Sequence, residues 1–188
     1  MSTAPGEVLE FWFGASPHRS RAVWFSKDPA FDAAIRACFG DAVASALDGA
    51  FAEWGASAQG SLARVILLDQ FTRNIFRDTP RAFSGDALAL AVSTAAVDAR
   101  QDLELDRYER QFLYLPFEHD ESASAQERSV ELFGALARDT GDGSLLDWAQ
   151  RHADIVRRFG RFPHRNNILG RASTADELAF LKEPGSRF

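Results

Sequence analysis

Two short runs in this sequence combine residue types that bind anions and move protons. Arg161-Phe162-Pro163-His164-Arg165-Asn166-Asn167 follows a helical stretch that stops at Gly160. Gln70-Phe71-Thr72-Arg73-Asn74 is a partial copy of it, much earlier in the chain. Both place Phe, one or two residues, then Arg-Asn at an expected helix end. The Phe can anchor the segment in the core, while Arg and Asn present planar N–H donors in fixed directions. Arg165 has the fork that grips a carboxylate or phosphate through two hydrogen bonds, and Asn166 can orient an amide or hydroxyl. Pro163 restricts the backbone just before them. The alternative is that these groups cap the carbonyls at the end of the preceding helix. That explains one or two polar side chains more readily than the whole run.

Asp69 and Arg73 stand four residues apart, acid first, the favourable order for a pair on one helix face. They continue the apolar stripe of Leu62, Val65 and Ile66, so a partly buried pair is expected, either as a structural clamp or as part of a site. Glu118-His119 precedes Asp120-Glu121 and follows Pro116. Read as a loop rich in carboxylates, it predicts a His119 whose pKa is raised by negative neighbours and which serves as a general acid or base near neutrality. The alternative is a solvated acidic turn, against which Phe117 speaks as a tether to the core.

The expected site therefore has His119 and His164 as catalytic groups. Lys27, Asp69, Gln70, Arg73, Asn74, Glu118, Arg165 and Asn166 are the expected ligand-binding groups, converging on one pocket for a small anion. Asp69, Glu118, His119 and His164 are ligand types that suit zinc or iron, but no H-x-x-x-H or H-x-E spacing preorganises them, and no metal is expected. The sequence leaves any cofactor unknown. Neither a nucleophile elbow nor a phosphate-binding loop is present. His152 falls on an apolar stripe and reads as a core histidine, and His18 has no evident partner.

The elements that must carry these residues read as helices nearly throughout. Pro5 opens a first helix through Val8, Leu9, Phe11, Trp12 and Phe13, closed by Gly14. Asp28-Pro29 opens a second. There Phe31, Ile35, Phe39, Val43 and Leu47 recur every four residues up to Gly49, with Gly40 as an expected break. Cys38 is in step with that stripe and reads as core. A third helix begins near Ser57 or Ser61 and reaches Phe71 or slightly beyond. Its centre, Val65-Ile66-Leu67-Leu68, is apolar on every side, as a helix surrounded by others would be. A fourth spans about Asp86 to Asp98, and a fifth runs from Asp106 to Leu115, ended by Pro116. Ser124 with Glu127 and Thr174 with Glu177 read as capping boxes for the sixth and the last helix. The helix between them carries Leu145, Trp148, His152, Ile155 and Phe159. No stretch of strand length alternates with period two.

The 188 residues suit one helical domain over the whole chain, 1–188. The 16 Phe against 2 Tyr point to aromatics used for packing. A net charge of -6 disfavours nucleic acid as a partner, since phosphate neutralisation needs a basic surface. No apolar run is long enough for a membrane span and no signal segment is visible, so a soluble cytoplasmic protein is expected. The sequence leaves the oligomeric state open. Short connections between helices favour antiparallel neighbours, hence a bundle or a stack of helix hairpins. A tetratricopeptide consensus is not legible.

Three segments closely resemble an uncharacterised bacterial protein family, catalogued only as a numbered domain of unknown function. They are Trp24-Phe25-Ser26-Lys27-Asp28-Pro29-Ala30-Phe31-Asp32, Leu67 through Arg77, and Gly160 through Asn166. Phe112 through His119 looks like a fourth. The resemblance spans essentially the whole chain. It implies an all-α fold like the tetratricopeptide α-α superhelix, and it implies no activity. One departure is Thr72, where the family usually has Pro; without that ring a looser turn after Gln70 is expected. Two functions follow as expectations. One is a polar Arg/His/Asn pocket for a small anionic ligand, belonging to a binding protein or an enzyme. The other is a helical-repeat module that offers a groove to a protein partner.

Overall fold

The computed structural model describes residues 3–186, and among them every regular element is helical. The order is α1 (Pro5–Phe13), α2 (Pro29–Leu47), α3 (Ala58–Val65), a π-helical stretch (Ile66–Phe71), α4 (Thr72–Ile75), α5 (Asp86–Asp98), α6 (Arg107–His119), α7 (Ala123–Thr140), α8 (Ser144–Phe159) and α9 (Ala175–Phe180). Short 3₁₀ turns lie between them, among them Pro80–Phe83 and Pro163–Arg165.

The organising element is the rod that runs without a break from α3 through the π-helical stretch to α4. It packs against α1, α2, α5 and α6. That position explains why Leu62, Ala63, Val65, Ile66, Leu67 and Leu68 are all fully buried. Ser57 caps its start by accepting from Gly60 N. Around it, Trp12, Trp24, Phe71 and Phe112 form a web of edge-to-face and stacked aromatic contacts. A second, small cluster of Ile155, Val156, Phe162 and Phe180 joins α8 to the C-terminal segment.

Several local readings of the sequence need correction. Pro116 does not end α6, which continues to His119. The far-off Gln126 side chain makes this last turn tenable: its Nε2 donates to the carbonyls of Phe117, Glu118 and Asp120, groups a helix end leaves without partners. Gly40 does not break α2. Cys38 points to solvent rather than into the core. The cap of α7 is Ser122, whose Oγ accepts from Ala125 N, and Ser124 lies inside the helix. No loose turn follows Gln70. Thr72 Oγ instead bonds the carbonyls of Leu68 and Asp69, tying down the end of the π-helical stretch. The Asp28 cap, the Thr174–Glu177 capping box and the left-handed Gly160 (φ 70°) match the sequence reading. On α8, Trp148 is half exposed although it shares the stripe of buried His152.

Candidate functional site

The widened π-helical turn carries Asp69 and Gln70 into the interior, where Asp69 has no exposed surface. A buried carboxylate must be paired, because desolvation alone costs several kcal/mol. Asp69 meets this demand on both oxygens. Oδ1 lies 2.7 Å from His119 Nδ1 and 2.9 Å from Arg73 Nη1. Oδ2 accepts from Gln70 Nε2 at 2.5 Å. Burial would raise this carboxyl, but Arg73 and His119 outweigh it and hold the group well below the usual range.

Arg73 reaches on to Asp86 at the first turn of α5 through two hydrogen bonds of 2.8 and 3.1 Å. Asp86 in turn lies 3.6 Å from Arg165 Nη1. Gly85 permits this approach: a Cβ there would stand 2.1 Å from the carbonyl oxygen of Leu68. The guanidinium of Arg165 packs 4.8 Å from the ring centre of Phe83 and 4.6 Å from that of Phe162. Arg165 is only 7 % exposed. Its buried Nε donates no hydrogen bond among the described residues. Burial and the nearby Arg73 lower its pKa to about 10, so it stays cationic near neutrality.

His119 is the last residue of α6 rather than part of a loop. The sequence reading that its pKa is raised is corrected. Burial lowers it, with Arg73 and Arg165 adding to the effect, and Asp69 compensates only in part. With Nδ1–H directed at Asp69, Nε2 is left as the acceptor nitrogen. Neighbouring Glu118 is pushed up to about 8 by burial and by the charge of Asp69, so it holds a proton at neutral pH. Its Oε1 lies 3.3 Å from His152 Nδ1. Burial takes His152 down to about 3. His164 falls to about 4 through burial and the adjacent Arg165. His164 also lines a cavity of about 670 Å3 whose other walls include Pro163, Asn167, Arg171 and Leu178.

Asp69, Gln70, Arg73, Glu118, His119 and Arg165 therefore form one neighbourhood, and His164 joins it through its electrostatic contact with Arg165 and His119. Three expected members lie elsewhere. Lys27 pairs with Asp78 in an exposed ion pair at 2.9 Å. Asn74 donates to Asp32, which Arg77 also grips. Asn166 bonds Ser173, Glu177 and Arg171 in a network that clamps the C-terminal segment. In both Asn cases a carboxylate out of sequence view claims the amide.

Two members escaped the sequence reading. Asp86 entered the sequence reading only as the start of a helix, and His152 as a core histidine, which its burial bears out. Also unforeseen is His18, whose Nδ1 lies 2.7 Å from Asp106 Oδ2 near Glu109. Among the described residues, these three are the group whose ligand atoms lie within 4.8 Å of one another, as a metal would need. No helix among those residues is long and apolar enough to cross a membrane.

Comparison with known proteins adds kinship to this geometry. No match was found among curated proteins. The solved structure of a protein of unknown function from Agrobacterium tumefaciens is similar to this chain, with a TM-score of 0.86 and 39 % identity over 95 % of this chain and 96 % of that one. Residues 8–185 match the family model described as bacterial protein of unknown function (DUF924). The match covers nearly the whole sequence, and the chain belongs to this bacterial family.

Proposed function

We propose that this protein binds a small anionic molecule at Arg165 and that His119 and His164 transfer protons to or from it. The observation that carries this reading is the state of Arg165. A buried guanidinium normally spends its donors on carboxylates or carbonyls, yet Arg165 Nε donates to nothing among the described residues. Such a group costs stability, and a site that repays the cost only with ligand bound is a reasonable use of it. The Asp69–His119 pair beside it supplies the chemistry. A carboxylate on Nδ1 fixes the tautomer and leaves Nε2 to act as a base, as in other carboxylate–imidazole pairs. A neutral Glu118 next to an ionised Asp69 is the kind of split between two acids that serves acid and base roles. Asp86, Gln70 and Arg73 hold these groups in place.

The test is a thermal-shift screen of small carboxylates and phosphates against wild type and Arg165→Gln. A true ligand at a hundred times its Kd adds about 2.7 kcal/mol to the native state. The screen should find anions that stabilise wild type and leave the variant unmoved. Stabilisation that survives in Arg165→Gln would place the ligand elsewhere.

A second reading is an interaction module whose helix hairpins stack as a tetratricopeptide-like superhelix. The successive packing of α5 on α6, α6 on α7 and α7 on α8 favours it. It requires a peptide groove, and it predicts partner binding indifferent to Arg165→Gln.

A further inference from the structure

We infer that the anion held by Arg165 is a carboxylate and that it binds together with one proton, taken up by His119. This rests on the anion-site reading above and narrows it to a ligand class and a coupling.

The first argument is how this chain uses the same edge of other arginines. Arg77 grips Asp32 through Nε and Nη2, both at 2.8 Å. Arg161 grips Glu177 through the same two nitrogens, at 2.7 and 2.9 Å. Each pair is planar and two-pronged, the match of a guanidinium edge to a carboxylate. On Arg165 it is Nη1 that faces Asp86, and the buried Nε makes no hydrogen bond among the described residues. The rings of Phe83 and Phe162 lie against this guanidinium, which leaves the edge as its means of recognition.

The second argument is charge. The charges around the site are three guanidiniums, Arg73, Arg165 and Arg171, and three carboxylates, Asp69, Asp86 and Glu121. They balance. A phosphate near neutral pH would bring close to two further negative charges into a mostly buried space, whereas a carboxylate brings one. That single charge can be neutralised by one proton on an imidazole.

The third argument selects the imidazole. His119 Nδ1 is 2.7 Å from the Asp69 carboxylate, so protonation at Nε2 would turn that hydrogen bond into an ion pair. The charged and titratable groups that face it are Asp69 and Arg73 from the central rod, Arg165 and His164 from the 3₁₀ turn, His152 from α8 and Glu118 on its own helix. Arg165 is one of the cations that keep His119 neutral. A ligand charge placed on Arg165 cancels that repulsion, and the proton enters Nε2 from water. His152 is a poorer acceptor, since the partner of its Nδ1 is the neutral Trp148 carbonyl, at 2.9 Å, and not a carboxylate.

The experiment is an NMR titration of the full-length protein with acetate, glycolate, inorganic phosphate and sulfate at several pH values from about 6 to about 8. Carboxylates should shift the Arg165 and His119 resonances at lower concentration than phosphate or sulfate. Uptake of one proton per ligand makes Kd rise about tenfold for each pH unit in this range. His119→Asn retains a donor to Asp69 but cannot take the proton, so it should still bind carboxylate with the pH slope abolished. His119→Gln provides a second variant should the first fail to give a folded spectrum. Phosphate or sulfate binding at least as tightly as the carboxylates, or carboxylate binding with no pH slope, overturns the inference and leaves the anion site standing. If none of the four perturbs Arg165, the anion site itself falls, and this inference with it.

Discussion

Asp69 is the residue on which the largest number of interactions depends. It is fully buried and holds Gln70, Arg73 and His119 at once. Asp69→Asn keeps the shape and removes the charge, so Arg73 loses half its compensation. Breaking such a pair costs about 3–5 kcal/mol. Chemical denaturation should show a loss of that size; a change below 1 kcal/mol, on the order of a surface substitution, would mean the charge is dispensable. A second prediction concerns Glu118. Its folded pKa of about 8 exceeds the ordinary 4.5, so between these values the folded state keeps a proton that the unfolded state has lost. The contribution of Glu118 to stability therefore falls through this window as pH rises. Glu118→Gln removes this dependence. It should gain on wild type by up to roughly 1.4 kcal/mol per pH unit between the two values. An unfolding series in which the difference stays flat with pH would contradict the buried neutral acid. His152 and His164 act with the opposite sign. Their folded values near 3 and 4 lie below the ordinary 6.5, so the unfolded state binds the extra protons and stability falls as pH drops from about 6.5. The sequence showed which residue types would matter but not their pairing. Arg73-Asn74 and Arg165-Asn166 look alike as dipeptides, yet each Arg goes to the site while each Asn is taken by a carboxylate 42 or 11 residues away.

At the scale of elements, two close fits set the site. The first is Gly85 against Leu68. A methyl group at residue 85 would stand 2.1 Å from a backbone oxygen, so α5 must retreat and take Asp86 with it. Gly85→Ala should destabilise by about 1–3 kcal/mol or more and weaken anion binding at the same time. Loss of stability with unaltered anion binding would show that α5 does not position the site. The second is Gln126, which closes the C-terminal turn of α6 through three carbonyls. Gln126→Leu leaves buried carbonyls unsatisfied, at a cost of roughly 1–3 kcal/mol. It should also broaden the His119 resonances, because His119 ends that turn. Helix starts were legible where a local side chain makes the cap, as at Asp28 and Thr174. The extent of α6 was not, because a residue on the next helix supports it past Pro116. The π-helical stretch was also hidden, since an all-apolar run such as Ile66-Leu67-Leu68 carries no phase by which a wider turn could be seen.

For the whole molecule, the all-helical character followed from the period of the apolar residues, and the buried central rod from an apolar run with no polar face. What the chain could not display is that the ends of five separated segments meet around Asp69 and Arg165. That meeting carries a cost. A guanidinium sits among Phe83, Phe162 and Asp86 without a hydrogen bond from Nε, while Asp86 is already held twice by Arg73. Natural sites that trade stability for binding show their nature when the costly group is replaced. Arg165→Met fills a similar volume with apolar atoms. The most direct measurement is therefore the unfolding free energy of wild type and Arg165→Met, each without and with acetate or phosphate. The account predicts that the variant equals or exceeds wild type without anion, and that only wild type gains stability when anion is added. A variant several kcal/mol less stable than wild type, with no anion effect on either protein, would make Arg165 a structural residue and contradict the proposed site.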